Sequence, residues 1–283
     1  ALAAADPARA VRRHAAEVRA TYEREGHRRL VVAGFGKAAF VMARALREEW
    51  PDPVAAGAVV TKYGHADPAV RLPGIAVREA GHPVPDAPGV AATEEILRLA
   101  DGEERTLFVN LVSGGGSALF VAPVAGVTLA EKQAVTGLLL RAGAEIHELN
   151  AVRKHLSRVK GGRWAARLHP ARVFSLILSD VIGDRLDVIA SGPTAPDPTT
   201  FDDAWAVLER RGLLGETPAA VRDVLDRGRR GEAPETPKPG DPVFDRVENR
   251  IIGSNRLALD AARRRAEALG YETRILTAEL TGE

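Results

Sequence analysis

The chain has no cysteine, a single methionine and only three tryptophans among its 283 residues. Without thiols neither a disulfide framework nor a thiolate metal centre is available, and the redox compartment is left open by the same absence. Charge of one sign is missing too: 39 Lys plus Arg stand against 38 Asp plus Glu, a formal net charge of +1. No bulk field therefore draws the protein to nucleic acid or to an anionic membrane. No apolar run approaches the roughly 18 residues of a membrane span. The Ala-rich start is broken by Asp6, Arg9, Arg12 and Arg13, unlike a secretory signal. These absences predict a cytoplasmic protein with neither nucleic acid nor membrane as a partner. Lysine is also scarce. Only Lys37, Lys62, Lys132, Lys154, Lys160 and Lys238 occur, and a chain that so favours Arg should keep Lys where a compact ammonium does what a planar guanidinium cannot. Lys37, Lys62, Lys154 and Lys160 fall beside glycines or strand ends, whereas Lys132 and Lys238 are expected on solvent.

What is present is ordinary for a globular chain. With 45% hydrophobic and 27% charged residues, the length supports one large or two ordinary domains with a substantial core. Asp6 and Pro7 signal the start of a helix running to residue 25. Short apolar runs predict strands at 30–33, 55–61, 75–79, 107–112, 173–178, 247–252 and 271–277. Helical spacing predicts helices at 38–49, stopped by Pro51 and Pro53, and at 89–99. A helix over 128–149 opens on a Thr128/Glu131 capping box, and one over 152–168 is interrupted at Gly161-Gly162. Further helices are predicted at 202–211, 218–227 and 256–269. This alternation gives the fold class: an α/β protein with a Rossmann-like, mostly parallel sheet and flanking helices, plus the start of a second α/β domain. The Gly-, Pro- and charge-rich stretch over 228–242 is the best linker. The expected organisation is a domain over 1–230, a linker over 231–245 and the beginning of a truncated second domain over 246–283. The chain lacks an initiator Met and stops at Thr281, Gly282 and Glu283 directly after a predicted strand, where a partner helix is expected.

In a parallel sheet, ligands sit at the carboxyl ends of the strands, so the residues there carry the functional reading. After the run 107–112 comes Ser113-Gly114-Gly115-Gly116-Ser117. Its glycines leave backbone N–H groups free to wrap an anion, and a helix opening at Ala118 and Leu119 would add its N-terminal dipole. A tight strand-to-helix turn accounts for the loop alone equally well. Gly34-Phe35-Gly36-Lys37-Ala38-Ala39 satisfies the dinucleotide pattern G-x-G-x-x-A. The acidic residue that pattern needs after the next strand is replaced by Thr61 and Lys62, which disfavours a nicotinamide cofactor. A loop lysine suits a phosphate in transfer better. Asp180 ends the run 173–178, with Asp184 and Asp187 downstream, as a metal ligand, a base or a capping residue. The cluster Arg153, Lys154, His155, Arg158 and Lys160 is either a solvated face or partly anion-facing. His65 and His82 lie in Gly/Pro loops fit for ligand contact. No two histidines have the spacing of a zinc protease, and Ser113 and Ser117 are not in a G-x-S-x-G elbow.

An ordered series of motifs spans almost the whole chain. It runs through Gly34 to Ala38, Val60-Thr61-Lys62-Tyr63-Gly64, Glu79-Ala80-Gly81-His82-Pro83-Val84-Pro85-Asp86 and the Ser113–Leu119 stretch. It continues in Ser179-Asp180-Val181 with Gly183-Asp184, Ser191-Gly192-Pro193-Thr194 and Gly253-Ser254-Asn255. The series resembles the MOFRL-type glycerate 2-kinases. The resemblance implies ATP- and Mg2+-dependent phosphorylation of the 2-hydroxyl of glycerate, giving 2-phosphoglycerate, in a cleft between a Rossmann-like domain and a second α/β domain. It matches Lys37 and Asp180 to active-site positions of the family, which makes them the expected catalytic residues, Asp180 as metal ligand or base. Gly36, Lys62, His82, Ser113, Gly114, Gly115, Gly116, Ser117, Arg153, Lys154 and Asn255 are then the expected substrate- or nucleotide-binding set. Family members continue beyond the counterpart of Glu283 into the rest of the second domain, which supplies an active-site arginine with no counterpart here. Two alternatives stand beside this reading: an NAD(P)H-dependent hydroxypyruvate reductase, and a non-catalytic anion-binding module. Oligomeric state is open, a homo-oligomer included.

Overall fold

The computed structural model describes residues 2–51, 54–100 and 102–280. Pro53, expected to stop a helix, and residues 281–283 lie outside the described residues. Asp6 accepts a hydrogen bond from the Arg9 amide at 2.7 Å and caps α1 (Pro7–Arg24), as its position before a proline suggests. Then follow β1 (Arg29–Phe35), α2 (Ala39–Glu49), β2 (Val54–Lys62), β3 (Ile75–Ala80), α3 (Ala87–Leu97) and β4 (Thr106–Val112). A run of helices follows: α4 (Gly116–Leu119), α5 (Leu129–Arg141), α6 (Ile146–His155) and α7 (Arg163–Leu168). The order closes with β5 (Arg172–Leu178), α8 (Phe201–Arg210), α9 (Ala219–Arg229), β6 (Val247–Gly253) and α10 (Asn255–Glu267).

The six strands form one parallel sheet in the order β3-β2-β1-β4-β5-β6. Side-chain alternation assigns its two faces. Leu30 and Val32 of β1 pack with Val11 and Val18 of α1 and Met42 and Leu46 of α2. Val31, Ala33 and Phe35 turn the other way, onto Ile96 of α3, Phe120 and Trp164 of α7. Phe35 and Phe120 stack at 4.2 Å between ring centroids, and Trp164 meets Phe120 edge-on at 5.7 Å. Both faces being covered, the central strands read as continuous apolar runs. A third core, separate from the sheet, joins α5, α6, α8 and α9 through Val135, Leu139, Val152, Phe201, Leu208 and Leu225.

Several expectations are revised. The Thr128/Glu131 capping box forms, but the helix expected to reach 149 ends at Arg141. There Gly143 takes φ +66° and the amides of Gly143 and Ala144 bond back to Leu140 and Leu139, a glycine-terminated helix end. The stretch over 152–168 divides likewise into the end of α6 and the short α7. After β4 the chain makes a single turn, α4, so no long helix dipole faces the glycine loop. The strand expected over 271–277 does not form. Leu276 is 85% exposed, and β6 is the last strand of the sheet, so this apolar stretch has no neighbouring strand to pair with among the described residues. β6, read as lying beyond a linker, pairs in parallel with β5. The segment over 231–245 therefore joins two elements of the same sheet. It is tied back by Thr236 on Asp197, in the segment before α8 (3.1 Å), and by His155 of α6 against Glu235 (2.8 Å). Among the described residues, no helix is long and apolar enough to cross a membrane.

Candidate functional site

Because every strand runs the same way, every post-strand segment opens on one edge of the sheet. The strand order reverses between β1 and β4, and such a switch point leaves a crevice outside the strand ends. The two loops that emerge there are Gly36-Lys37 and Ser113–Ser117. They are knitted together: the Lys37 amide donates to the Gly114 carbonyl at 2.8 Å, the Ala38 amide to Ser113 Oγ at 3.0 Å, and the Ser113 amide to the Phe35 carbonyl at 3.2 Å. Gly36 is required here, since at φ +129° a Cβ would overlap Ser113. Thr61 Oγ1 donates to the Lys37 carbonyl (3.1 Å), and His65 Nδ1 lies 3.0 Å from the same oxygen. The backbone carrying Lys37 is thus held from β2 and β4, the strands on either side of β1.

The glycine loop is a meeting point. A Cβ on Gly115, which sits at φ +84°, would lie 2.9 Å from Cδ2 of His82 and 3.2 Å from Cγ of Lys37, and one on Gly114 would collide with the Asp180 carboxylate. Lys37, His82 and Asp180 therefore converge on this one loop from the ends of β1, β3 and β5. The amides of Gly114, Gly115 and Ser117 donate to no protein acceptor among the described residues. Short backbone N–H groups beside an ammonium make an anion cradle. His82 feels the same surroundings: burial, then the ammonium groups of Lys37 and Lys62, holds its imidazole pKa below the ordinary histidine value, with Asp180 pulling the other way. Lys62 at the end of β2 thus belongs to the same charged rim. The loop bearing His82 is pinned by Asp86, which accepts from Tyr63 Oη at 2.7 Å and from the Gly89 amide at 3.0 Å.

Further along the edge, Asp180 and Asp184 share a cavity of about 370 Å³ with Asn255 and Arg256. Asn255 Nδ2 is spent on the Ala278 carbonyl at 2.8 Å. Asp187 turns away from this cavity, to Arg185 at 2.9 Å. Among the described residues no cluster of three His, Asp or Glu side chains could hold a metal by itself. A lone carboxylate on a phosphate-sized cradle is nevertheless the usual protein share of a Mg2+ site, where nucleotide phosphates and waters complete the shell.

The basic cluster on α6 and beyond separates. Lys154, expected to bind ligand, is 2% exposed, and its Nζ pairs with the fully buried Asp197 at 3.1 Å. Burial alone pushes the Asp197 carboxyl up, but Lys154 and the Thr199 hydroxyl outweigh it and hold its pKa below the ordinary value. Lys160 donates to the Phe120 carbonyl (3.1 Å), His155 faces Glu235, and Arg158 pairs with Glu94 on the surface. Lys132, expected on solvent, is 4% exposed and donates to the Arg153 and Leu156 carbonyls at 3.1 and 2.9 Å. These are last-turn carbonyls of α6, which a lysine can cap. Lys238 is half-buried and bonds Thr236 Oγ1 at 2.8 Å. Arg153 has neither an ion pair nor a side-chain hydrogen bond among the described residues.

The structure adds two residues absent from the expected binding set. Ser117 Oγ lies 3.0 Å from Ser191 Oγ, which in turn donates to Asn150 Oδ1 at 3.1 Å. Ser191 and Asn150 are buried, and Asn150 Nδ2 has no partner among the described residues. Ala190 and Ser191 both take positive φ, +51° and +63°. Such strain in non-glycine residues costs about 1 kcal/mol or more each and collects at functional sites. The signals in the sequence were Ser191-Gly192-Pro193 and a polar Asn150 among the buried residues of α6.

The residue pattern over 1–226 matches the family model described as a domain of unknown function, DUF4147. A D-glycerate 2-kinase of Thermotoga maritima is 44% identical over 256 residues, covering 90% of this chain and 58% of that protein. A protein of Agrobacterium vitis named as a candidate hydroxypyruvate reductase is 47% identical over 256 residues, covering 90% of this chain and 63% of its own length. The crystal structure of a glycerate kinase from Thermotoga maritima superposes with a TM-score of 0.83 at 42% identity, covering 96% of this chain and 61% of that one. The chain thus spans less than two thirds of these relatives.

Proposed function

From the premise that this chain belongs to the DUF4147 family, we propose that the protein is a glycerate 2-kinase, transferring the γ-phosphoryl group of ATP to the 2-hydroxyl of glycerate. The observation that carries the reading is the convergence of Lys37, His82 and Asp180 on the Ser113–Ser117 loop at the switch point of the sheet. Phosphoryl transfer asks little covalent chemistry of a protein and much positioning of charge. Lys37 supplies a point charge that follows the oxygens of the phosphoryl group in transfer. The free amides of Gly114, Gly115 and Ser117 hold phosphate oxygens. Asp180 would hold Mg2+, which when bound draws charge from the phosphates. His82, kept neutral by its surroundings, and Lys62 complete the wall facing the acceptor. The relatives' printed names support glycerate as the acceptor, and the 44% identity to a D-glycerate 2-kinase carries that name further than fold alone would.

A reductase reading has two observations in its favour, the Agrobacterium name and the G-x-G-x-x-A loop at the switch point. Against it, β2 ends in Thr61 and Lys62, Thr61 already donating to the Lys37 carbonyl, where a dinucleotide ribose would need a carboxylate. The test is ADP release by the full-length protein with D-glycerate, with and without Mg2+, beside absorbance at the NADH band with hydroxypyruvate. ADP formation that depends on glycerate and is lost by roughly 100-fold or more in Lys37→Met, with an unchanged melting temperature, is the expected result. Glycerate-independent ATP loss, or NADH oxidation instead, would overturn the proposal.

A further inference from the structure

A second cavity, of about 360 Å³, opens in the helical layer, and neither the glycine loop nor Lys37, His82 or Asp180 lines it. Arg158 and Arg163 enter it from the stretch between α6 and α7, and Arg227 enters it from α9. No Asp or Glu stands among its lining residues. Three guanidinium groups around one hollow without a carboxylate repel one another unless an anion joins them.

The three arginines are also incompletely partnered. Arg163 Nε is buried and has no hydrogen-bond partner among the described residues, while its Nη2 donates to the Pro234 carbonyl at 3.1 Å. The carboxylates whose charge reaches it, Glu235 and Asp197, are already taken by His155 and Lys154. Arg227 has only Asp223 at 3.8 Å and Glu232 at 3.9 Å, both too far for hydrogen bonds. Arg158 pairs with Glu94 of α3, but both side chains are well exposed, and such a pair is worth about 1 kcal/mol at most. A ligand could therefore recruit it at little cost. The remaining wall is carbon. Both ring nitrogens of His155 are engaged, with Ala151 and Glu235, and its ring lies 4.6 Å from that of Phe201. Gly228 lets Phe201 pack against the α9 backbone, since a Cβ there would lie 2.3 Å from the ring. Val224 and Pro234 extend the same apolar surface.

We propose that this cavity is a binding site for a small phosphate ester with an apolar organic group, separate from the cleft at the sheet edge. A phosphate monoester offers three strong acceptor oxygens and nearly two negative charges, one oxygen for each guanidinium, whereas a carboxylate offers two oxygens and one charge. Guanidinium groups bind such oxygens in paired hydrogen bonds. The apolar wall of Phe201, Val224 and Pro234 takes the organic part, as small-molecule sites combine an apolar lining with a few polar groups. The inference is independent of the glycerate reading, because no residue of the cleft takes part in it.

The test is calorimetric titration of the full-length protein with phenyl phosphate, inorganic phosphate and benzoate, beside thermal melts, in the wild type and in Arg163→Met, Arg227→Met and Lys37→Met. Phenyl phosphate should bind more tightly than either other probe. Each arginine substitution should weaken it roughly 10- to 100-fold, the range for hydrogen bonds to a charged group, and Lys37→Met should leave it unchanged. Arg227 is 47% exposed, so Arg227→Met should melt with the wild type and keeps the test decisive even if Arg163→Met is unstable. Phenyl phosphate binding that survives Arg227→Met intact, or that disappears in Lys37→Met, would place the probe elsewhere and overturn the inference. So would benzoate binding as tightly as phenyl phosphate, or the absence of saturable binding at millimolar concentrations. None of these outcomes alters the ADP-release test of the kinase reading.

Discussion

Gly115→Ala tests the cleft with its own internal control. The backbone there is at φ +84°, and an L residue in the left-handed region costs roughly 1–2 kcal/mol. Gly126, at φ +86°, carries the same backbone cost, yet a Cβ there meets nothing within 4 Å. At roughly 2–4 °C per kcal/mol for a protein of this size, both substitutions should lower the melting temperature by about 2–8 °C. Only at Gly115 does the new methyl also meet His82 Cδ2 at 2.9 Å and Lys37 Cγ at 3.2 Å. Those are side-chain atoms that can swing away, so the additional stability loss should be small. The functional loss should not be small, because displacing a catalytic group by about 1 Å is worth on the order of 100-fold in rate. Paired thermal melts and ADP-release kinetics on the two variants of the full-length protein separate the terms. The expected outcome is similar melting temperatures with turnover reduced on the order of 100-fold in Gly115→Ala and unchanged in Gly126→Ala. Equal turnover in both would show that the Ser113–Ser117 loop is a structural turn.

Two further predictions concern buried charge. Burial lowers Lys132 to a pKa of about 7 from 10.5. Below about pH 7 both folded and unfolded chains are protonated and the folded state carries the full penalty. Between about pH 7 and 10.5 only the unfolded chain holds the proton, so this residue makes stability rise with pH by about 1 kcal/mol per unit. Urea denaturation at pH 7 and pH 9 should show that rise in the wild type and a flatter response in Lys132→Met; identical slopes would count against a buried ammonium. Glu235 is displaced in the opposite sense. Burial would raise its carboxyl, but the His155 hydrogen bond and the Thr236 and Phe201 amides bring it down to about 2. Its contribution is therefore complete above about pH 4.5 and lost as pH falls toward 2. Discounted for a side chain 34% exposed, Glu235→Gln should cost about 1–2 kcal/mol at pH 7, read as a lower urea midpoint, with the difference from wild type closing in acid.

Most of the sheet was legible because its signal is local. A strand buried on both faces has to be an unbroken apolar run, and 107–112 and 173–178 are such runs. The ends of α1 and the start of α5 were legible for the same reason, Asp6 and the Thr128/Glu131 pair satisfying amides within one turn. Strand order was not legible. No local pattern says that β1 and β4 are neighbours, yet that adjacency turns two separate glycine loops into one crevice. Local reading also failed where one motif permits several outcomes. Gly143 ended a helix that propensity would continue, and the apolar stretch at 271–277 has strand composition with no strand to pair. Charge was the least legible. Arg153, Lys154, His155, Arg158 and Lys160 occupy eight positions and have five different surroundings, because the helix turns them toward different neighbours and only the tertiary contacts decide which charge is neutralised.

The scarcity of lysine takes on meaning in that light. In a chain whose cations are nearly all Arg, five of the six lysines divide into two kinds. Lys37 and Lys62 stand at strand ends facing the cleft. Lys132, Lys154 and Lys160 are buried, two of them capping carbonyls at the ends of α6 and of the single turn after the glycine loop, the third paired with Asp197. An ammonium fits between two carbonyls in a space a guanidinium would overfill, and it can shed its proton where Arg cannot. The buried pair around Phe120 and Leu156 thus fixes the backbone beside Arg153 without offering it a counter-ion.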